Sequence, residues 1–196
     1  MRIDEVVKNV NVYGVEQSFR ASKFPMAVEV DTLNGDYTPT IERLATTEKG
    51  EGHDNFLCGM VVQFDLTFTV KAWTEAERYH FFDIVSSQST MHRITRFDLD
   101  KAYIEYVDER MVAIMKEKVA DYNATTDSEE RTRKYLEILY SNPCGMKLTA
   151  RMTTNYRQLK TIYSQRKSHR LPEWKAFCRW IETLPYAKLI IGSEKK

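Results

Sequence analysis

The chain has 196 residues, 42% of them apolar and 12% aromatic, with 29 Lys and Arg against 28 Asp and Glu. That composition can build a hydrophobic core and excludes an intrinsically disordered chain. The formal net charge of +1 gives no overall attraction to nucleic acid or to a membrane surface. Three cysteines without C-x-x-C spacing and four unpaired histidines favour neither a disulfide framework nor a metal site. With no signal-peptide pattern and no long apolar run, we expect a cytoplasmic protein.

The first half of the chain predicts two strands and a helix. Residues 6–14 are typical of a strand, and Pro39 suits the first position of a helix that follows Thr38. Residues 61–72 alternate apolar and polar side chains throughout, which is the clearest strand signal in the sequence. That alternation predicts a sheet with one buried face.

A helix is predicted directly after this strand. Thr74 with Glu77 three residues later forms a capping-box pattern, which marks a helix start. Side chains recurring at every fourth position carry the predicted helix through Gln88 towards His92.

The second half of the chain is predicted to be mostly helical. Helices are expected at roughly 100–122, 128–140 and 153–167, with a short extended stretch over 147–151. A last helix begins at Leu171-Pro172 and ends before Pro185. The whole pattern predicts an α+β fold in which one antiparallel sheet packs against several long helices.

Common cofactor motifs are absent, and the distribution of charge along the chain indicates the candidate binding residues instead. There is no G-x-G-x-x-G after a strand, no P-loop lysine and no G-x-S-x-G elbow. Residues 147–179 hold nine Lys and Arg against one acid, Glu173. Arginine is suited to binding phosphate, although a solvated basic helix gives the same pattern. On the 153–167 helix, Asn155 and Arg166 share a face with two apolar residues.

Two further polar clusters precede this basic stretch. One runs from Gln88 to Arg93, and the other is the loop Gly52-His53-Asp54-Asn55. Taken alone, each is also typical of an ordinary helix end or turn.

Together and in this order, the three clusters resemble the flavin-dependent thymidylate synthase family. That family has a G-H-x-x-x-F-like loop before a core strand, then a helix ending in Q-x-x-R-H-R-x-x-S, then a helix with N-x-R-x-L and a later arginine. The matching segments here are Gly52–Phe56, Gln88–Arg96 and Asn155–Arg166. The resemblance covers roughly residues 50–185, within an expected single domain over 1–196. The chain is also similar to a branch of short phage and bacterial proteins in this family.

The resemblance implies a flavoprotein that transfers a one-carbon unit to C5 of dUMP or a related nucleotide. It implies FAD as cofactor, NADPH and methylenetetrahydrofolate as co-substrates, and a homotetramer whose flavin sites form between subunits. The implied flavin contacts are His53, Asn55, His92, Arg93, Asn155 and Arg157. The implied substrate contacts are Gln88, Arg96 and Arg166, and the implied catalytic, orienting groups are His92, Arg93 and Arg166.

Several positions depart from the family pattern. Met91 replaces the first arginine of R-H-R, and Arg96 stands in place of the following serine. Leu139 replaces a nucleotide-binding arginine, Thr161 an asparagine, and the N-E-x-S-x-R-Y continuation is missing. Several of these losses fall on the nucleotide side of the expected site, while more of the flavin side is kept. The main alternative is therefore a catalytically inactive nucleotide-binding protein on the same scaffold.

A third hypothesis is a nucleic-acid-binding module. It would use the basic stretch over 147–179 together with neighbouring aromatic side chains, which can stack on bases. Core packing is the ordinary explanation of these aromatic residues, above all of Trp174 on an apolar helix face, so this hypothesis ranks below the other two.

Overall fold

The computed structural model describes residues 1–47 and 51–192. Residue 50, where the resemblance begins, and the last four residues of the expected domain lie outside that part. The described chain is built on a four-stranded antiparallel sheet in the order β1-β2-β4-β3. The strands are β1 Val7–Tyr13, β2 Val61–Thr69, β3 Phe82–Ser87 and β4 Lys147–Asn155. The predicted α+β class with an antiparallel sheet is confirmed.

The described residues also form α-helices. They are α1 Ile3–Val6, α2 Val15–Ala21, α3 Pro39–Ala45, α4 Val70–Ala76, α5 Thr90–Arg93, α6 Leu99–Ala102, α7 Glu109–Ala124, α8 Ser128–Ser141, α9 Tyr156–Arg166, α10 Pro172–Ile181 and α11 Lys188–Ile191. Within residues 1–47 and 51–192, no helix combines the length and the apolar character needed to cross a membrane.

Strand β2 organises the main core. Its alternating residues Val62, Phe64, Leu66 and Phe68 are fully buried, as the sequence pattern predicts. Their side chains face α10, where the ring centroids of Phe64 and Trp180 are 4.6 Å apart. The predicted last helix is confirmed as α10, with Pro172 in its first turn and its apolar face in the main core.

The predicted start of the helix after β2 is wrong. The strand stops at Thr69, whose hydroxyl accepts a hydrogen bond from the amide of Ala72 and so caps α4. Thr74 lies inside α4 and donates to the carbonyl of Lys71, so it forms no capping box with Glu77. Thr69 caps the helix although Ala72, three residues later, cannot complete a capping box, and the helix begins there because sheet pairing ends at Thr69.

The prediction that this helix runs on to Gln88 is also wrong. Helix α4 ends at Ala76, and residues 82–87 form the edge strand β3 beside β4. The segment is rich in β-branched and aromatic residues, and pairing with β4 outweighs its four-residue recurrence. Gln88 extends this pairing, because its amide donates to the carbonyl of Thr149 and its side-chain oxygen accepts from the amide of Thr149.

Two other predicted helices have different bounds. The helix expected over 100–122 is divided into α6 and α7, because Tyr103 bridges to Met146 and Asp108 caps a new helix. The helix expected over 153–167 begins at Tyr156, since the preceding residues complete β4. The helix expected over 128–140 is confirmed as α8. A second hydrophobic cluster joins the α7–α8 hairpin to the segment that contains Ile94.

Candidate functional site

The sequence-predicted site residues lie in four separate places within the chain. The first is a cavity of about 620 Å³ beside the start of α9, here called the Arg157 cavity. It is lined by Asp54, Cys58, Phe81, Asn155, Arg157, Gln158, Lys160, Thr161 and Ser164. The structure thus brings together Asn155 and Arg157. His53 and Asn55 are exposed next to the lining residue Asp54 but do not themselves line the cavity.

Asn155 is placed by the junction of β4 and α9. It is the last residue of β4 and pairs with Val61, while its side-chain oxygen accepts a hydrogen bond from the amide of Gln158. Asparagine is a preferred helix cap because this bond satisfies an otherwise unpaired amide. The next residue, Tyr156, is buried and its amide donates to the carbonyl of Met60. The first turn of α9 is therefore fixed against the loop that precedes β2.

Asp54 fixes the two basic residues of this turn. It accepts hydrogen bonds from Arg157 Nε at 3.0 Å and from Lys160 Nζ at 2.8 Å, and it is 8% exposed. Burial alone would raise the pKa of Asp54, but the hydrogen bonds and charges of Lys160 and Arg157 hold that pKa below its ordinary value. Asp54 is therefore an anion that orients Arg157 through Nε, and the two terminal nitrogens of Arg157 make no hydrogen bond among the described residues.

Phe81 contributes an aromatic ring to the Arg157 cavity. The side chain is 68% exposed, and its backbone has a positive φ of 57°. A left-handed backbone conformation costs a non-glycine residue about 1 kcal/mol, so a hydrogen bond from a neighbouring residue is needed to stabilise this conformation at Phe81. The hydroxyl of Thr154 does so by donating to the carbonyl of Phe81 at 2.6 Å. The sequence does not predict Asp54 or Phe81 as cavity residues. Asp54 belongs to the loop Gly52-His53-Asp54-Asn55, but no motif or spacing in the sequence indicates Phe81.

His92, Arg93 and Arg96 lie in a second place, here called the α5–α8 cleft. This cleft of about 480 Å³ is lined by His92, Arg93, Thr95, Arg96, Tyr122, Asn123, Ser128, Arg131, Thr132 and Tyr135. None of these residues lines the Arg157 cavity. Within one chain, the structure therefore does not bring His92 and Arg93 together with Asn155 and Arg157.

Gln88 lies in a third place. Both its backbone and its side chain are bound to Thr149, which fixes it at the end of β3. It lines a broad groove with Arg2, Lys8 and Asp98. This groove contains neither Arg96 nor Arg166, the other two predicted substrate contacts.

Arg166 lies in the fourth place, within an interior charge cluster. Its Nη1 is 2.8 Å from Oε2 of Glu75, its Nε donates to the hydroxyl of Tyr79, and its guanidinium stacks on Trp174. His169 and Lys71 also contact Glu75. Burial alone would raise the pKa of Glu75, but Lys71, His169 and Arg166 lower it. Arg166 thus already has a carboxylate partner inside the fold.

The basic stretch over 147–179 is not one basic surface. Arg151 pairs with Asp65, Arg157 and Lys160 pair with Asp54, and Arg166 pairs with Glu75. These pairs place four of the nine cations on three different parts of the fold. Among residues 1–47 and 51–192, no group of His, Cys, Asp and Glu side chains is arranged to hold a metal ion.

Comparison with known proteins decides the fold. No protein-family model matches this chain, and neither does any curated protein. Two solved structures of the flavin-dependent thymidylate synthase ThyX from Helicobacter pylori, each with FAD and dUMP, match it with a TM-score of 0.70. The chain has the fold of the flavin-dependent thymidylate synthases. The match covers 94% of this chain and 98% of each ThyX chain, at 14% sequence identity.

The shared fold confirms the resemblance drawn from the three motifs, but the second motif has a different context. In the family pattern, Q-x-x-R-H-R ends the helix that follows the core strand. Here that helix is α4, which ends at Ala76, whereas Gln88 follows β3 and His92 lies on the separate helix α5. The third motif does match in context, since Asn155 and Arg157 begin a helix directly after a central strand.

Proposed function

We propose that this protein binds FAD at the Arg157 cavity, with Asn155 and Arg157 as its main contacts and His53 and Asn55 at the rim. The supporting observation is an arginine held through Nε by a buried aspartate, with its terminal nitrogens left for a ligand. Such prior orientation lowers the entropy lost on binding.

The side chains of this cavity suit the chemistry of a flavin nucleotide. The Arg157 guanidinium can donate to phosphate or to a flavin carbonyl oxygen, and the amides of Asn155 and Gln158 can do the same. The exposed ring of Phe81 offers an apolar face to an aromatic ring system. The cavity volume is within the range usual for small-molecule sites. When bound, FAD supplies the hydride chemistry, and the protein contributes binding and orientation.

We further propose the reaction that the resemblance implies, a thymidylate-synthase-like one-carbon transfer to C5 of dUMP or a related pyrimidine nucleotide. NADPH and methylenetetrahydrofolate would be the co-substrates. Gln88, Arg96 and Arg166 would bind the nucleotide, and His92, Arg93 and Arg166 would orient the reacting groups. Because these residues lie apart in one chain, this reaction requires an oligomer in which different copies complete each site, and the resemblance implies that this oligomer is a homotetramer.

Nucleotide binding without turnover is the second candidate, because Arg166, which the reaction needs to orient the reacting groups, is already paired with Glu75. A phosphate can use Arg166 only if the Glu75 carboxylate gives up that contact. Losing a partly buried ionic hydrogen bond costs about 1.5–3 kcal/mol, and this cost weakens the binding of any nucleotide whose phosphate uses Arg166.

The test is the absorbance spectrum of the purified protein, with and without added FAD, after desalting. We expect the wild-type chain to retain flavin, and Arg157→Ala to bind FAD at least about tenfold more weakly, as expected for losing a charged hydrogen bond. Arg170→Ala is the matched control, because Arg170 is exposed and outside the cavity. Wild-type protein that retains no flavin would disprove the proposal.

A second assay separates the two candidates. The FAD-loaded protein is given dUMP, methylenetetrahydrofolate and NADPH, and dTMP is measured. Formation of dTMP supports the enzyme. A dUMP-induced rise in melting temperature without product supports binding without turnover.

A further inference from the structure

Phe81 is a large apolar residue that the core does not use. It is 68% exposed, whereas the next residue, Phe82, is 4% exposed and packs against Phe64 and Phe177 in the main core. Phe82 therefore anchors the start of β3 without help from Phe81. An exposed phenyl ring adds little stability, because it is the burial of apolar surface that stabilises a fold.

The backbone of Phe81 is also in an unfavourable conformation. Its φ of 57° lies in the left-handed region, which suits glycine or asparagine better than an aromatic residue. Phe81 is thus unfavourable to the fold in its backbone and contributes little through its side chain. Residues that break both local rules at once are expected mainly at functional sites.

Thr154 holds Phe81 in this conformation. It is 5% exposed on β4, where it pairs with Val62 of β2 and with Phe82 of β3. Its hydroxyl donates to the carbonyl of Phe81 at 2.6 Å. Because β4 is hydrogen-bonded to a strand on each side, Thr154 is a fixed donor. The sheet therefore sets the direction in which the Phe81 side chain leaves the backbone.

Phe81 and its donor both belong to the surroundings of the Arg157 cavity. Phe81 lines this cavity together with Asn155 and Arg157. Asn155 directly follows Thr154 in β4, so one strand end carries a proposed flavin contact and the residue that holds Phe81. Phe81 belongs to none of the three family motifs. It lies between α4 and β3, where this chain departs from the family pattern.

We propose that Phe81 is a specificity-determining contact on which the isoalloxazine ring of FAD stacks, and that Thr154 is its positioning residue. This inference rests on the proposed binding of FAD at the Arg157 cavity. Aromatic rings attract each other in offset-stacked and edge-to-face arrangements. The isoalloxazine ring fits better than adenine, because its carbonyl oxygens can accept hydrogen bonds from Arg157 in the same cavity, whereas adenine has no carbonyl oxygen.

The first test is titration calorimetry of wild type, Phe81→Asn and Phe81→Tyr with FAD, FMN and ADP. Phe81→Asn removes the ring and suits the left-handed backbone, so we expect an unchanged or higher melting temperature. FAD and FMN should nevertheless bind at least about tenfold more weakly, as expected for losing one buried aromatic contact. Phe81→Tyr keeps the ring and should bind FAD like wild type. Val85→Asn is the matched control, since Val85 is also apolar and exposed but lies outside the cavity.

The other outcomes overturn the inference. Wild-type FAD affinity in Phe81→Asn would show that the ring is not a flavin contact. Weaker binding of ADP with unchanged binding of FMN would assign Phe81 to the adenine ring. Both results require a wild-type chain that binds FAD, and they are thereby distinguished from failure of the proposed function, in which wild type binds no FAD and this inference falls with it.

A double-mutant cycle tests the positioning role of Thr154. Thr154→Val removes the hydroxyl with little change of shape, so we expect FAD to bind about fivefold more weakly, and Thr154→Ser to bind it like wild type. In the Phe81→Asn background, Thr154→Val should not weaken FAD binding further, because no ring is left to position. Equal weakening in the two backgrounds, or none in either, would remove Thr154 from this role.

Discussion

Arg166 and Glu75 join the two helices that follow the central strands. Their side chains are 17% and 16% exposed, and Arg166 Nη1 lies 2.8 Å from Glu75 Oε2. The same carboxylate oxygen accepts a hydrogen bond from Trp174 Nε1 on α10. Glu75 thus connects α4, α9 and α10 on one side of the sheet. An arginine that resembles a family nucleotide contact has here a structural partner.

Glu75→Gln is expected to lower the free energy of unfolding by about 2 kcal/mol, because Arg166 would keep its position but lose its charged acceptor. The measurement is urea unfolding at neutral pH. Glu77→Gln, directly after the end of the same helix, is the control, since Glu77 is exposed, and it should cost less than about 0.5 kcal/mol. Equal losses in the two variants would show that the ion pair adds no stability.

Asp54 should give the protein a stability that depends on pH. Its pKa in the folded protein lies below the ordinary value of 3.8, so the folded state binds fewer protons than the unfolded state in acid. Its contribution is therefore fully present above about pH 5 and is lost as the pH falls below about 4. Asp54→Asn should be less stable than wild type by about 2 kcal/mol at neutral pH.

Urea unfolding of both proteins at neutral pH and near pH 3 checks this sign. The difference between wild type and Asp54→Asn should shrink in acid, because protonation removes the same charge that the substitution removes. Asp36→Asn, at an exposed position, should change stability by less than about 0.5 kcal/mol at either pH. A difference that persists unchanged in acid would contradict this role of Asp54.

The elements that the sequence predicted well are those whose side chains meet one continuous apolar surface. Strand β2 alternates because its two faces have different surroundings, and α10 buries its apolar face against that strand. Edge strand β3 is different, because most of its residues are exposed on both faces and leave no period of two in the sequence. Its strand character comes from pairing with β4, which is distant in the chain.

The candidate site was predictable in part for the same reason. Asn155 and Arg157 belong to one local segment, a strand end followed by a helix start, so sequence spacing fixes their relative position. Asp54 and Phe81 reach the cavity through contacts across more than seventy residues, to Arg157 and Thr154. Gln88 and His92 were placed on one helix that does not form, so their spacing carried no geometric information.

Asn155 allows the structural and binding roles of one side chain to be separated. Asn155→Ala should cost about 1 kcal/mol of stability, because the Gln158 amide loses its capping acceptor. Asn155→Asp keeps that acceptor and should unfold like wild type. If Asn155 contacts the flavin, Asn155→Asp should still bind FAD at least about tenfold more weakly, because it loses a donor and adds a negative charge. Urea unfolding and FAD titration measure the two roles, and wild-type FAD affinity in Asn155→Asp would remove this residue from the flavin site.

Thr69 is expected to be the most sensitive threonine of the central strands. Its hydroxyl caps α4 and also donates to Oε1 of the buried Glu173, whose Oε2 has no hydrogen-bond partner among the described residues. Thr69→Val preserves the shape but leaves the carboxylate with no partner for either oxygen, so we expect a loss of about 2–3 kcal/mol. Thr69→Ser keeps the hydroxyl and should retain most of that stability.

Thr67→Val is the matched control for this prediction. The Thr67 hydroxyl bonds to that of Thr149 on the half-exposed outer face of the sheet, where water can replace it, so the loss should stay below about 1 kcal/mol. In a Glu173→Gln background the effect of Thr69→Val should be smaller, because no buried carboxylate is left unpaired. Urea unfolding of the four proteins in that double-mutant cycle tests the coupling. An unchanged effect of Thr69→Val would assign all of its cost to the helix cap.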